Sequence, residues 1–221
     1  MKPKSRLDLK KARVRAFFSS LEGRELTEEE RNSQVQEVID EGMVYKQMRL
    51  PVSKTEEIEK KLKEKIEHKI ISANIRDAKE DDLNIIREIY NQAWLTSNTP
   101  FRPIDLDSLE KIYDDPDTIF LIGKVYARDA GFVIIDLEGD NKQYAVIAAL
   151  GVIPRFQRRG FGTILGVAAW NYIKEHFSNI EELRCEVYKD NNVSYSFISQ
   201  IGFEEFGTKV YRREDFEFDN D

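Results

Sequence analysis

Between Val152 and Leu165 the chain reads Val-Ile-Pro-Arg-Phe-Gln-Arg-Arg-Gly-Phe-Gly-Thr-Ile-Leu, an apolar strand end joined to a helix start through arginines and glycines. Gly160 and Gly162 lack a Cβ, so the backbone can take dihedrals closed to other residues and a ligand can approach its N–H groups. The amides from about Arg158 to Thr163 are unpartnered donors at a helix start, where the helix dipole adds partial positive charge. Such a turn suits a phosphate or diphosphate. Arg155, Arg158 and Arg159 add full charges. A Gly-x-Gly pair alone specifies little, since most are flexible turns, but its flanks here are ordered in pattern. Tyr144 to Val152 reads as a buried strand with Gly151 near its end, where a bend or close backbone approach is the usual reason for glycine. Gly162 to Phe177 carries Leu165, Ala168, Ala169, Tyr172, Ile173 and Phe177 at the spacing of one buried helix face. A dinucleotide fingerprint fails because Leu165 stands where the third glycine belongs, and no Gly-Lys-Ser/Thr occurs.

Taken with landmarks on either side, these residues resemble the Gcn5-related N-acetyltransferase (GNAT) superfamily. Its coenzyme A loop has the pattern Gln/Arg-x-x-Gly-x-Gly/Ala, matched by Gln157, Gly160 and Gly162. Val152 and Pro154 match upstream, and Asn191 and Gly202-Phe203 downstream, so the resemblance runs over roughly residues 74 to 213. It implies an α+β fold with a mixed, mostly antiparallel central sheet and helices on both faces. It also implies acetyl-coenzyme A as cosubstrate and no metal. By the same resemblance, main-chain groups of Leu150 and Val152 hold the pantetheine arm. Gln157, Arg158, Arg159, Gly160, Phe161, Gly162 and Thr163 surround the diphosphate, and Asn191 and Ser194 lie beside the arm. A bend at Gly151 would open the strand toward the thioester, with the Val152 N–H placed to stabilise oxygen charge in a tetrahedral intermediate.

The sequence departs from that pattern at the proton-transfer positions. Ala148 stands where many members have Glu, and Ile198 where the common acidic tyrosine falls. Tyr195, one helical turn earlier, is the candidate general acid, and Glu186 on the neighbouring strand the candidate base. Asp136 and Glu138 are further carboxylates at a strand end. Each of these has an ordinary alternative role, as a helix tyrosine or an exposed ion-pair partner.

The elements that must position these groups are readable in outline. A short strand at Asn74–Asp77 precedes a helix over Glu80–Trp94 with Leu83, Ile86, Ile89, Tyr90 and Trp94 on its apolar side, and a helix covers Leu106–Tyr113. Strands follow at Thr118–Arg128, Gly131–Leu137 and Tyr144–Val152, with Gly139-Asp-Asn141 as a turn. After the long helix come strand Leu183–Tyr188, helix Val193–Ile201, and two strands at Phe203–Phe206 and Thr208–Arg213. Residues 1–72 read as an N-terminal helical extension, and 73–221 as the acetyltransferase domain. Leu7, Val14, Phe17, Phe18 and Leu21 mark one helix of the extension. Thr27 to Glu30 has capping-box spacing before Val35, Val38, Ile39 and a stop at Gly42. Ser53 to Glu56 opens a third helix with Ile58, Leu62, Ile66 and Ile70. One large apolar residue per turn cannot enclose a core, so this helix needs cover from the catalytic part or from a second copy of the chain. Trp94, Phe101 and Arg102 lie where the family lines its acceptor side.

Composition narrows the function class. Residues 1–72 carry 17 basic and 14 acidic side chains and the remainder 17 and 27, within a net charge of −7. Lys2 to Arg15 holds seven basic residues against Asp8, which reads as a solvated helix face rather than a nucleic-acid footprint. Cys185 is the one cysteine, set in an apolar alternation that favours a buried structural role. His68 and His176 are too far apart in sequence to suggest zinc, and the start has neither membrane-helix length nor a secretion signal, consistent with a cytoplasmic protein. The expected activity is transfer of acetyl from acetyl-coenzyme A to a primary amine: a protein N-terminus, a lysine or a small amine. The alternative is an acyl-coenzyme A sensor or pseudoenzyme with a helical partner-binding arm. The N-terminal helices read first as an extension packed on the catalytic part, with a homodimer through them as the alternative; no nucleic acid or membrane partner is expected.

Overall fold

A computed structural model describes residues 9–21, 27–28, 34–67, 73–97, 99–100 and 103–216, the side chains of Gln34 and residues 63–67 excepted. Lys2, Lys4, Arg6, Leu7, Glu29, Glu30, His68, Ile70, Phe101 and Arg102 lie outside the described residues, as does the side chain of Ile66. The order is helix α1 (Leu9–Ser19), α2 (Gln34–Glu41), strand β1 (Met43–Pro51), α3 (Thr55–Glu67), β2 (Ala73–Asp77), α4 (Leu83–Trp94) and α5 (Leu106–Tyr113). Then come β3 (Thr118–Val125), β4 (Arg128–Glu138), β5 (Tyr144–Val152), α6 (Phe161–His176), β6 (Glu182–Tyr188), α7 (Asn192–Gln200) and β7 (Glu204–Tyr211).

The seven strands form one sheet in the order β2-β3-β4-β5-β6-β1-β7. Its pairs are antiparallel except β5 with β6, which run parallel, giving the mixed, mostly antiparallel sheet that the resemblance implies. Helices cover both faces, and each face has its own apolar layer. Leu165, Ala169 and Ile173 of α6 pack with Val133, Leu183, Cys185 and Val187 on one side. Ile86, Ile89 and Tyr90 of α4 pack with Leu109, Ile112, Phe132, Ile134 and Leu9 of α1 on the other. Local sequence starts these helices where they must start. Asp105 Oδ1 accepts from Ser108 N at 2.7 Å to cap α5, and Asp82 accepts from Lys79 N and bidentately from Arg76 ahead of α4.

The helices expected before Ala73 are present, but a strand lies between the last two. Met43–Pro51 occupies the sheet between β6 and β7, paired to both. Its buried residues are Met43, Tyr45, Met48 and Leu50. Met43 and Tyr45 lie under α1, whereas Met48 and Leu50 face the α6 layer. The inward face therefore switches midway, which breaks the period-two pattern that would mark a strand in the sequence. The two strands expected after Gly202 are a single one, β7, whose register shifts opposite Gln47 and Met48. Phe206 falls in that shift, and a bulge residue reads in sequence as a break between strands. The basic face of α1 is only partly solvated: Arg15 is exposed, but Lys10 and Arg13 are each 5 % exposed. The start of the α3 stripe is covered within the chain, Ile58 packing on the α6 layer and Glu59 accepting hydrogen bonds from Trp170 and Lys174.

If β1 is integral to the sheet, Met48→Ala should cost about 2–5 kcal/mol, the usual loss for emptying a fully buried site. Urea unfolding measures it, and a cost below about 1 kcal/mol would show that β1 is a dispensable edge.

Candidate active site where two parallel strands part

β5 and β6 pair only from Tyr144↔Glu182 to Ile147↔Cys185. Beyond that point β5 remains paired with β4 through Val152↔Gly131, while β6 continues on β1. Residues Ala148 to Val152 thus present one main-chain edge without a neighbouring strand. The irregularity that turns β5 lies near Ala148, where the β4 register shifts between Ile134 and Ile135, and not at Gly151. Gly151 has a different physical role. A Cβ there would lie 2.4 Å from Phe132 Cε1, so glycine admits the Phe132 ring beneath the strand.

At the end of this edge the chain makes a turn of 3₁₀ helix at Pro154–Phe156 and enters α6 through a left-handed pair, Arg158 at φ 58° and Gly160 at φ 84°. Among the described residues the main-chain N–H groups of Arg158 through Thr163 make no hydrogen bond, and the first amide used is that of Ile164, on Gly160 O at 3.1 Å. Six consecutive donors at a helix N-terminus are therefore without an internal partner, with the exposed Arg158 and Arg159 beside them. Gln157 belongs to the frame of this turn. Its Nε2 donates to Val152 O at 2.9 Å and to Thr96 Oγ1 at 3.1 Å. Phe161 is fully buried, so only its main chain can reach a ligand, while Thr163 is half-buried. A Cβ on Gly162 would meet nothing closer than Phe197 Cζ at 3.6 Å and Leu150 Cδ2 at 3.8 Å, so the fold itself does not demand glycine there.

On the opposite face the parting strands open into a cleft of about 600 Å³ between β4, β5, β6, β7 and α1. Glu186 lies in it, at the first β6 residue past the parallel pairing. Its Oε2 accepts from Lys10 Nζ at 2.7 Å and from Tyr211 Oη at 2.9 Å. Gln47 Nε2 reaches Oε1 at 3.4 Å. Burial works to raise the Glu186 pKa, but the Lys10 ammonium, Lys209 and the Tyr211 hydroxyl outweigh it and hold the carboxyl below its ordinary range. Asp136, 2 % exposed and accepting from Thr118 Oγ1 at 2.7 Å, lines the same cleft with the exposed Glu138.

The other expected residues sit elsewhere around the gap. Tyr195 donates to Glu205 Oε2 at 3.2 Å, with Lys46 Nζ 4.4 Å from its ring centroid, so its hydroxyl is engaged on β7. Asn191 caps α7 by accepting from Ser194 N at 3.1 Å. Its Nδ2 donates to Thr99 Oγ1 at 3.2 Å and lies 3.4 Å from Ser97 Oγ, tying α7 to the loop after α4. Ile198 is buried in the α6 layer. Cys185 is buried, and burial pushes its thiol up to about 12, in keeping with a structural role. His176 Nδ1 pairs with Tyr172 O at the end of α6. Among the described residues no three of His, Cys, Asp and Glu are grouped to hold a metal ion, and no helix is long and apolar enough to cross a membrane. Sequence reasoning missed Lys10, Gln47 and Tyr211 as neighbours of Glu186. Their separations of 176, 139 and 25 residues leave no local signal.

The model of the acetyltransferase (GNAT) family matches residues 83–203, a span that takes in β3 to α7 and the amide-lined turn. No curated protein matches the chain significantly. Among solved structures, a possible acetyltransferase from Clostridium difficile 630 has a TM-score of 0.53 at 22% identity, covering 66% of this chain and 97% of that one. The PaiA N-acetyltransferase of Thermoplasma acidophilum, solved with coenzyme A, has a TM-score of 0.51 at 21% identity over 63% of this chain and 99% of its own. The ribosomal-protein-S18-alanine N-acetyltransferase of Escherichia coli has a TM-score of 0.51 at 17% identity, covering 62% of this chain and 80% of that one. At such identities the likeness is one of fold.

Two outcomes follow from the burial of these groups. Glu186→Gln should cost about 3 kcal/mol at neutral pH, because it leaves the Lys10 ammonium buried without its counter-charge. The folded Glu186 titrates below its ordinary 4.5, so its contribution is complete above that pH and fades as acid protonates the folded carboxyl. Urea unfolding should therefore show the gap between wild type and variant narrowing in acid; an equal gap at both pH values would refute the ion-pair account. Separately, Cys185 should resist a thiol reagent in the native protein at about pH 8.5, where an ordinary thiol is half ionised, and react fully once denatured.

Proposed function

Because the chain belongs to the GNAT family of acetyltransferases, we propose that it transfers the acetyl group of acetyl-coenzyme A to a primary amine. The observation that carries this reading is the run of six unpaired amides at the start of α6, set against the strand edge left open where β5 leaves β6. The diphosphate takes the amides of Arg158 to Thr163, with Arg158 and Arg159 adding charge at low desolvation cost because both are exposed. The pantetheine arm adds to the β5 edge at Leu150 and Val152 as an extra strand would, main chain to main chain. That pairing fixes the thioester at the parting of the strands. Gln157, by holding Val152 O, fixes the direction in which this edge enters the turn.

The amine approaches from the cleft on the far face. Its nitrogen must be neutral to attack the thioester carbonyl; the C–S bond then breaks, the amide forms and the thiolate takes a proton. The Val152 N–H is the donor assigned to the oxygen charge of the intermediate. Glu186 is the carboxylate on the amine's side and the assigned proton acceptor. Tyr195 is the assigned proton source for the thiolate, a role that requires its hydroxyl to leave Glu205. Solved relatives include an aminoglycoside acetyltransferase bound to a bisubstrate analogue and one named for ribosomal protein S18 alanine, so the fold serves both small and polypeptide amines.

Gly162→Ala tests the cosubstrate site. The added methyl meets only ordinary contacts within the protein and favours helix, so thermal stability should hold or rise slightly. A ligand pressed against that amide should lose affinity by about tenfold or more, worth about 1.4 kcal/mol. Calorimetric titration with coenzyme A and thiol release from acetyl-coenzyme A with an amine panel should fall together. Undiminished coenzyme A binding in this variant would overturn the site.

A further inference from the structure

The cleft already holds an alkylammonium. Lys10, on the second residue of α1, passes its side chain into it and places Nζ 2.7 Å from Glu186 Oε2, with the Tyr45 ring centroid 5.6 Å away. The pair is shielded, the two side chains being 6 % and 12 % exposed. Tyr211 fixes the same Glu186 oxygen from the other side at 2.9 Å. A carboxylate held by a phenol, beside an aromatic face, is the arrangement that recognises a primary ammonium on a flexible aliphatic stem. It stands at the residue where β6 leaves β5, which puts it next to the expected position of the thioester.

Resting on the acetyltransferase reading above, we propose that Glu186, Tyr45 and Tyr211 form the seat of the acceptor ammonium, and that Lys10 fills it as an internal stand-in. The acceptor is then an unbranched alkylamine such as a lysine side chain, since the seat is built around one. Lys10 must swing out before the acceptor enters, so α1 competes in cis with substrate. The side chain alone can do this, because Leu9, Val14 and Phe17 anchor the helix independently of it. Arg13 is buried beside Lys10 with no carboxylate partner among the described residues, held by the Tyr45 and Trp94 rings at 5.8 and 5.2 Å and by Tyr45 Oη at 3.4 Å, its Nε unpaired.

The test is equilibrium binding of Nα-acetyl-lysine amide to the full chain saturated with coenzyme A, followed by calorimetry. Lys10→Ala should bind the amine about tenfold or more tightly than wild type, while Lys10→Arg, which keeps the seat filled, should not gain. n-Pentanol, of similar stem and no charge, should gain nothing in either variant. No gain in Lys10→Ala, or an equal gain for pentanol, overturns the proposal, the second because it would mean only that the cleft has widened. Melting temperature and coenzyme A affinity show that the variants are folded. Acetyl transfer is read separately: tighter amine binding without any transfer leaves the seat standing and removes the proposed reaction, whereas transfer without tighter binding does the reverse.

Discussion

Past Ile147, β5 cannot keep both its neighbours. The register shift near Ala148 and the Phe132 ring under Gly151 hold it on β4, while β6 is held by seven residue pairs on β1. Two strands anchored on opposite sides must part, and the gap has a free main-chain edge along Ala148–Val152. Every functional feature of the molecule is arranged around that gap. The amide-lined turn opens at its end, the α6 layer backs one side, and the cleft with Glu186 opens on the other. A sheet that stayed paired would bury this edge in its own ladder and leave no room for a thioester arm.

The strand that anchors β6 comes from the segment before Ala73. β1 is therefore part of what keeps the gap open, and α1 above it is part of what fills the cleft. Burying cations is costly unless they are paired and hydrogen-bonded. α1 buries two, of which Lys10 has a carboxylate and Arg13 has aromatic rings. The apolar contacts of Leu9, Val14, Phe17 and Phe18 offset that cost and keep the helix on the sheet.

The placement of Glu186 shows how tertiary contacts set chemistry. A carboxylate buried alone would be raised in pKa and largely neutral, but Lys10, Lys209 and Tyr211 reverse that sign. The role proposed for it as an acceptor of protons is consequently coupled to where Lys10 is. Tyr195 is similarly committed, in its case to Glu205 on β7. The two candidates for proton transfer thus both wait on a change of partner, while the main-chain donors of the proposed coenzyme A turn make no internal hydrogen bond.

The parts legible in the sequence were those governed by neighbours along the chain. Gly160 and Gly162 with their arginines mark a turn of outward amides, Asn191 marks a helix start, and apolar spacing marks α4, α5, α6 and the strands β3 to β6. These depend on local dihedrals and on one buried face each, both of which leave a pattern within a dozen residues. β1 left none, because α1 covers one face of its first half and the α6 layer the other face of its second. β7 read as two strands because a bulge at Phe206 interrupts its alternation. The bend assigned to Gly151 proved to lie near Ala148, since only packing reveals that the glycine is there for a phenylalanine ring. The partners of Glu186 lay beyond reach for the same reason: Lys10 meets it across 176 residues, and an ion pair of that span is decided by how the sheet is ordered, which no stretch of sequence records.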